Sequence, residues 1–132
     1  MKYLLDTCVV SDYFRRRGNV ASAIHARPPH ELGISAITEH EIWYGLDRLR
    51  ADASSLRSKV IAFLSVVKVV PFDGAAARAS GLIRAHAEHA GKPIGTLDAL
   101  IAGAAVAGGL VLVSSNTREF ARVDGLKCVD WL

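Results

Sequence analysis

Four acidic side chains and one asparagine occupy places in the sequence where a binding cleft could form. They are Asp6, Glu41, Asp98, Asn116 and Glu119. The first follows a short apolar segment, and the second lies in a helix entered from another such segment. The third falls in the first turn of a helix, and the last two follow a further apolar segment. Because the carboxyl ends of parallel strands share one edge of a sheet, we expect these side chains to meet there.

Carboxylates that lie close together repel each other and raise one another's pKa. A divalent cation relieves that repulsion, and a set of oxygen ligands favours hard ions such as Mg²⁺ or Mn²⁺ over zinc. Such ions polarise phosphodiesters and lower the pKa of a bound water. The pattern therefore predicts metal-dependent hydrolysis, and it shows no evident Ser, His or Cys nucleophile.

Each acid also has an ordinary structural explanation. Asp6 could cap the helix that follows it, and Glu41 could close a capping box with Thr38. Asp98 could complement the positive end of a helix, and Glu119 could be a plain surface charge. We favour a shared site because the acids recur at a single edge of the expected sheet.

Apolar runs that suit buried strands alternate with helical patterns along the chain, which indicates an α/β fold with a mainly parallel sheet. The predicted strands are residues 2–5, 32–35, 66–72, 110–113 and 127–131. The predicted helices are residues 9–17, 20–27, 37–50, 52–64, 73–90 and 96–107, with a brief helical turn at 118–123. Asp52 and Asp73 are expected to cap two of these helices.

The chain has 132 residues, of which 51% are hydrophobic and 22% charged, as in an ordinary globular domain. Without repeats or a linker, residues 1–132 are expected to form one domain. No apolar run is long enough to span a membrane, and the charged start argues against a secretory signal. Cys8 and Cys128 are expected to be buried free thiols in a reducing cytoplasm. The net charge of +3 permits nucleic-acid binding without requiring it.

Four segments resemble, in order, the motifs of PIN-domain ribonucleases, and in particular the VapC toxins of VapBC toxin–antitoxin pairs. The first is YLLDT at residues 3–7, and the second is ISAITEHEIWYG at residues 34–45. The third is PIGTLDALIA at residues 93–102. The closing segment is LVSSNTREF at residues 112–120, followed by VDGL at 123–126 and DW at 130–131. The resemblance spans nearly the whole chain.

The resemblance implies a three-layer α/β/α fold with a sheet of four to five strands. It implies that Asp6, Glu41 and Asp98 bind Mg²⁺ or Mn²⁺, with a fourth polar position at Asn116 and a further acid at Glu119. It also implies RNA cleavage, a homodimer and inhibition by a cognate VapB antitoxin. Toxins with a similar closing segment cut tRNA in the anticodon region.

Two positions depart from the family pattern. Cys8 stands where many relatives have Asn, and Asn116 stands where some PIN domains have Asp. The second departure motivates an alternative function, a PIN-like module that binds RNA or a protein and cuts weakly or not at all. A phosphotransferase with Asp6 as nucleophile is a further alternative, but it usually requires a second acid two residues later.

Two groups of side chains outside the acidic set could contact partners. Apolar residues of the expected helices at 37–64 exceed what one small core needs, so they are expected either to form a dimer or antitoxin surface or to be internal. These are Leu56, Val60, Ile61, Phe63 and Leu64. Lys92, Arg118 and Arg122 lie near the acids in sequence, and they either contact phosphates or are simply solvated.

Overall fold

The computed structural model describes residues 1–49 and 52–132, and its centre is a sheet of five parallel strands. The strands are β1 (Tyr3–Leu5), β2 (Leu32–Ser35), β3 (Lys68–Val70), β4 (Val111–Val113) and β5 (Cys128–Val129). Their order across the sheet is β3-β2-β1-β4-β5, and all neighbouring strands are parallel. The first strand of the chain is therefore the central strand.

Seven helices in the described part of the chain connect these strands. They are α1 (Thr7–Arg15), α2 (Val20–His25), α3 (Ala36–Asp47), α4 (Ser54–Val66), α5 (Gly74–His89), α6 (Thr96–Gly108) and α7 (Thr117–Phe120). A short 3-10 turn, Pro29–Glu31, precedes β2. This architecture confirms the predicted α/β class with a parallel sheet of five strands.

Successive residues of a strand point to opposite faces of the sheet, and two hydrophobic cores result. Leu5 of β1 and Val113 of β4 pack with α1, α2 and α4 on one face. Leu4 and Leu112, the neighbours of those two residues, pack with α5, α6 and α7 on the other face. All four side chains have no exposed surface. Helices thus cover both faces, as expected when a parallel sheet is buried between layers.

Several predicted boundaries are wrong by a few residues. Helix α1 begins at Thr7 rather than at residue 9, because the Asp6 side chain accepts a hydrogen bond from the Thr7 amide. Helix α4 continues to Val66, so β3 begins only at Lys68. The last strand has two residues rather than five. Helix α3 ends at Asp47, while residue 50, its predicted end, lies outside the described residues.

The predicted cap at Asp73 is confirmed, whereas Asp52 lies one residue before Ala53, the N-cap of α4. The Asp73 carboxylate accepts a hydrogen bond of 3.0 Å from the Ala76 amide at the start of α5. Asp52 accepts a bond of the same length from the Ser54 amide at the start of α4. Side-chain oxygens at these places satisfy amides that have no partner within the helix.

Both cysteines are free, but they are half-buried rather than fully buried as the sequence predicted. Burial, followed by nearby negative charges including that of Asp6, raises the pKa of the Cys128 thiol to about 11. No helix in the described segments has the combined length and apolar character that a bilayer span requires.

Candidate active site

The fold places the predicted acids along the carboxyl edge of the sheet. Asp6 directly follows the central strand β1, and Glu41 lies in the helix that leaves the neighbouring β2. Glu119 lies in α7, which follows β4 on the other side of β1. Asp98 is in the first turn of α6. Four different elements therefore deliver these carboxylates to one region, at the edge where parallel α/β sheets bind ligands.

Asp6 is held through both of its carboxylate oxygens, and only 5% of the residue is exposed. Oδ1 accepts a 2.8 Å hydrogen bond from the Thr7 amide and so caps α1. Oδ2 accepts a 2.8 Å bond from the buried Ser114 hydroxyl and a weaker 3.5 Å bond from the Cys8 thiol. Asp6 can therefore cap α1 and also belong to the acidic cluster, because its two carboxylate oxygens have different partners.

Glu41 bonds across to the segment that carries Asp6. The Thr7 hydroxyl donates a 2.7 Å hydrogen bond to Glu41 Oε1, and the Thr38 hydroxyl lies 3.2 Å from the same Thr7 oxygen. The capping-box explanation is wrong, since Ser35 caps α3 by accepting a 3.0 Å bond from the Thr38 amide. Glu41 therefore does not cap α3, and its carboxylate contacts Thr7, the residue after Asp6.

The pKa of Asp98 responds to the other three acids. Its pKa is raised to about 6, first by burial and then by the negative charges of Asp6, Glu119 and Glu41. Like charges destabilise an ionised carboxylate only when they lie nearby in a region of reduced dielectric. The four acids predicted from the sequence therefore share one electrostatic environment.

Asn116 and Glu119 form a pair beside Asp98. The Asn116 side-chain amide donates a 2.6 Å hydrogen bond to Glu119 Oε2. The Gly95 amide, at the start of α6, donates a 3.1 Å bond to Glu119 Oε1. Asn116 therefore orients the Glu119 carboxylate, which is half-buried and joins α7 to the loop that precedes Asp98.

Four hydroxyl residues support the acids, and the sequence reasoning assigned none of them a role in the site. They are Thr7, Ser35, Thr38 and Ser114. The Ser114 hydroxyl donates to Asp6 and accepts a 3.0 Å hydrogen bond from the Asn116 amide, so it connects two of the predicted residues. The available signal was position, because Ser35 is the last residue of β2 and Ser114 directly follows β4.

The composition of the cluster suits a hard divalent cation, because every acidic ligand offers oxygen and their repulsion needs a counter-charge. Burial is the main cause of the raised pKa of Asp98, and the charges of Asp6, Glu119 and Glu41 raise it further. Across residues 1–49 and 52–132, no three acidic, His or Cys side chains already lie at the mutual spacing of a metal shell. The acids form a shared electrostatic environment, not a closed set of ligands.

Comparisons with known proteins agree with this arrangement. The PIN domain family matches residues 3–126. A tRNA(fMet)-specific endonuclease VapC from Shigella flexneri is 34% identical over 131 residues, covering 99% of this chain and 98% of the relative. Ribonuclease VapC2 from Haemophilus influenzae is 32% identical over 132 residues, covering 100% and 99%.

Solved structures give the same result. VapBC2 from Rickettsia felis, bound to a DNA fragment from its promoter, superposes with a TM-score of 0.91 and 27% identity, with full coverage of both chains. DNA-bound VapBC from Salmonella typhimurium gives a TM-score of 0.89 at 34% identity, covering 100% of this chain and 99% of the other. With its motifs, its sheet order and its acidic edge all in agreement, the chain belongs to the PIN-domain family and to the VapC proteins within it.

Proposed function

We propose that this chain is a metal-dependent endoribonuclease that acts as the toxin of a VapBC pair. The observation that carries the proposal is the convergence of four carboxylates from four elements at the carboxyl edge of the sheet. Burial, and after it the charges of the other three acids, raises the pKa of Asp98 to about 6, and a carboxylate perturbed in this way is a mark of functional sites. The names of the relatives, which are ribonucleases and endonucleases, support the same reaction class.

Asp6, Glu41 and Asp98 are the residues that would hold Mg²⁺ or Mn²⁺, with Glu119 adjacent. When bound, such an ion supplies Lewis-acid stabilisation of the negative charge that develops during phosphodiester hydrolysis. The protein's own contribution is to fix the carboxylates in place. Ser114 holds Asp6 and Thr7 holds Glu41, so neither acid has to be ordered when substrate arrives.

The proposed substrate is tRNA, cut in the anticodon region. The support is that relatives from Shigella flexneri and Salmonella typhimurium, named as tRNA(fMet)-specific endonucleases, are 34% and 35% identical to this chain over nearly its whole length. Such a substrate would place the activity in the cytoplasm. Sequencing of RNA ends after induced expression would identify the cut, and a cut confined to mRNA would contradict the tRNA assignment.

The nuclease proposal is tested by Asp6→Asn. Asparagine keeps an oxygen that can cap α1 but removes the charge, so the fold should persist while tRNA cleavage and growth arrest are lost. Asp47→Asn is the matched control, because that carboxylate is exposed and pairs with Arg57 away from the sheet edge. Cleavage by Asp6→Asn at the parental rate would show that this cluster is not the catalytic centre.

Calorimetric titration with Mn²⁺ separates the nuclease from the alternative, a binding module. We expect the parent to bind the ion and Asp98→Asn to bind it much more weakly, because one ligand charge is lost. Absence of binding at millimolar Mn²⁺, together with absence of cleavage, would favour a protein that binds RNA or a partner without cutting.

The proposed partner is a VapB-type antitoxin, and a groove between α1, α2 and α4 offers a surface for it. The cavity is about 720 Å³ and combines the aromatic residues Tyr13, Phe14 and Phe63 with the basic residues Arg16 and Lys59. Such a lining suits a peptide with apolar and acidic side chains. We expect Val66→Glu, at an exposed edge of the groove, to weaken capture of the antitoxin while tRNA cleavage persists.

A homodimer is also proposed. Not all of the apolar helix surface predicted from the sequence is internal: Val60 and Phe63 are buried, whereas Ile61 is 54% exposed. Tyr44 on α3 is 62% exposed. Large apolar side chains on the surface favour self-association. Sedimentation should give twice the monomer mass, and a monomer at micromolar concentration would contradict the dimer.

A further inference from the structure

A second cavity lies directly beside the acidic cluster, between α5 and the segment around α7. Its volume is about 450 Å³, within the range of small-ligand sites. Leu82 and Ile83 of α5 form one wall, and Ile94 and Val123 contribute further apolar surface. Glu119 also lines the cavity, so this cavity and the acidic cluster share a residue.

Two positively charged side chains around this cavity could bind a phosphate. Lys92 and Arg122 both line it, and Arg122 donates a 3.3 Å hydrogen bond to the Lys92 carbonyl oxygen. The two acids of the lining have partners of their own. Glu119 accepts from Asn116 and Gly95, and Asp124 lies 3.7 Å from His86.

Among the described residues, neither Lys92 nor Arg122 forms an ion pair with a carboxylate.

We propose that this cavity is a substrate subsite that holds one nucleotide of the RNA next to the bond to be cut. The inference rests on the proposed nuclease function and deepens it by locating where the RNA is bound. Apolar walls suit the face of a base, while the two cations suit its phosphate. The need for such a subsite follows from charge, because the acidic cluster itself repels RNA.

The position of Glu119 relates the subsite to the reaction. Its carboxylate is bonded to Gly95, three residues before Asp98, and its charge contributes to the raised pKa of Asp98. A nucleotide in the cavity would therefore have its backbone beside the acids. The subsite would contribute to the choice of cutting position, because a base in a shaped apolar cavity is selected by its size and its stacking.

The test measures RNA binding in an Asp6→Asn background, so that cleavage does not interfere. Ala87→Phe fills the cavity, and Ala85→Phe adds the same bulk on the exposed side of α5, outside the lining. We expect Ala87→Phe to raise the Kd for a fluorescent tRNA-derived oligonucleotide about tenfold, and Ala85→Phe to leave it unchanged. The double variant Lys92→Ala/Arg122→Ala, which changes two exposed residues, should weaken binding similarly and reduce its salt dependence.

An abasic series identifies the bound nucleotide. In the cleaving parent, removal of one particular base near the cut should raise KM about tenfold, and that penalty should disappear in Ala87→Phe. Parental Kd and KM in both Ala87→Phe and Lys92→Ala/Arg122→Ala would overturn the subsite. So would a changed oligomeric mass in Ala87→Phe with unchanged RNA affinity, since the cavity would then belong to a protein interface.

Competition distinguishes an RNA subsite from a site for a free nucleotide. Adenosine and guanosine monophosphate at millimolar concentration should displace the oligonucleotide only weakly, and tight displacement by either would overturn the substrate assignment. The two proposals also fail differently. If the parent never cuts RNA yet binds it through Lys92 and Arg122, the nuclease proposal fails, and the cavity is an RNA-binding site rather than a substrate subsite.

Discussion

At the residue scale, the two oxygens of Asp6 have different partners. Oδ1 caps α1, and Oδ2 accepts a hydrogen bond from Ser114 at the carboxyl end of β4. One side chain therefore joins the start of a helix to the end of a neighbouring strand. The orientation of this carboxylate is fixed by contacts that exist before any ligand binds, which is the condition for a preorganised site.

Removal of the Ser114 hydroxyl should weaken both the fold and the activity. Ser114→Ala leaves the buried Asp6 Oδ2 without its 2.8 Å donor, and the expected loss is about 1–3 kcal/mol in the free energy of unfolding. The rate of tRNA cleavage should fall with little change in KM. Ser115→Ala is the control, because that exposed hydroxyl donates only a long bond to Cys8. Equal effects of the two variants in denaturant unfolding and steady-state kinetics would contradict this role.

The raised pKa of Asp98 gives a pH dependence with a definite sign. Because the folded protein binds this proton up to about pH 6, and the unfolded chain only up to about pH 4, the carboxylate destabilises the metal-free fold increasingly between those values. Asp98→Asn removes that cost. Relative to the parent, it should gain about 1 kcal/mol between pH 4 and pH 7, a figure reduced for solvent screening of this half-buried group.

Urea unfolding in EDTA at each pH measures this difference, since all other titrating groups are common to both proteins. Ser115→Ala, which changes no ionisable group, should show a difference from the parent that does not vary with pH. A constant difference for Asp98→Asn as well would show that Asp98 is not perturbed in the folded protein.

The acidic cluster could be predicted from the sequence because its members follow recognisable strands, as Asp6 does, or lie in helices that lead away from the expected sheet edge, as Glu41 and Asp98 do. The hydroxyls that hold them could not. Thr7 contacts Glu41, and Ser114 contacts Asp6, across 34 and 108 residues of sequence. A hydrogen bond between such distant residues leaves no periodic pattern, and Ser or Thr near a strand end is common for other reasons.

At the scale of elements, α5 and α6 pack so closely that one glycine is required. A Cβ atom on Gly103 of α6 would lie 2.6 Å from the Cβ of Ser80 on α5, and 2.7 Å from its backbone nitrogen. Backbone cannot move aside as a flexible side chain can. This close contact positions α6, and with it Asp98 in the first turn.

Gly103→Ala should therefore destabilise the protein by about 1–3 kcal/mol, even though alanine is the better helix former. Gly45→Ala in α3 is the matched control, since a Cβ there meets no atom within 4 Å. That variant should be neutral or more stable by up to about 1 kcal/mol. Thermal unfolding of both variants tests this prediction. A Gly103→Ala variant as stable as the parent would show that α5 and α6 can move apart at little cost in free energy.

The pattern of elements was predictable because a buried parallel strand is a mostly apolar run, as at 110–113. Boundaries were less predictable where the same residues suit two structures. Val66 is apolar and β-branched, so it was assigned to a strand, but it completes the last turn of α4. The 3-10 turn Pro29–Glu31 has no apolar periodicity and was not predicted.

At the scale of the whole molecule, metal binding should increase the thermal stability of the folded protein. An ion that binds only the folded chain raises the free energy of unfolding, by about 2.7 kcal/mol at a hundredfold excess over its Kd. Mn²⁺ and Mg²⁺ should therefore raise the Tm of the parent by several degrees, and EDTA should reverse this. Asp98→Asn should respond much less, while Asp47→Asn should respond like the parent. An identical rise in all three proteins would indicate binding elsewhere.

The order of strands in the sheet has a consequence for synthesis of the protein. Asp6 is translated before the other acids of the cluster, yet its strand lies at the centre of the sheet, and β4, the neighbour of that strand on one side, is translated only after α6. A nascent polypeptide interrupted before residue 111 has neither that neighbour nor Glu119. Translation products that stop before residue 111 would accordingly be inert towards RNA, because they lack both the strand beside Asp6 and the carboxylate of Glu119.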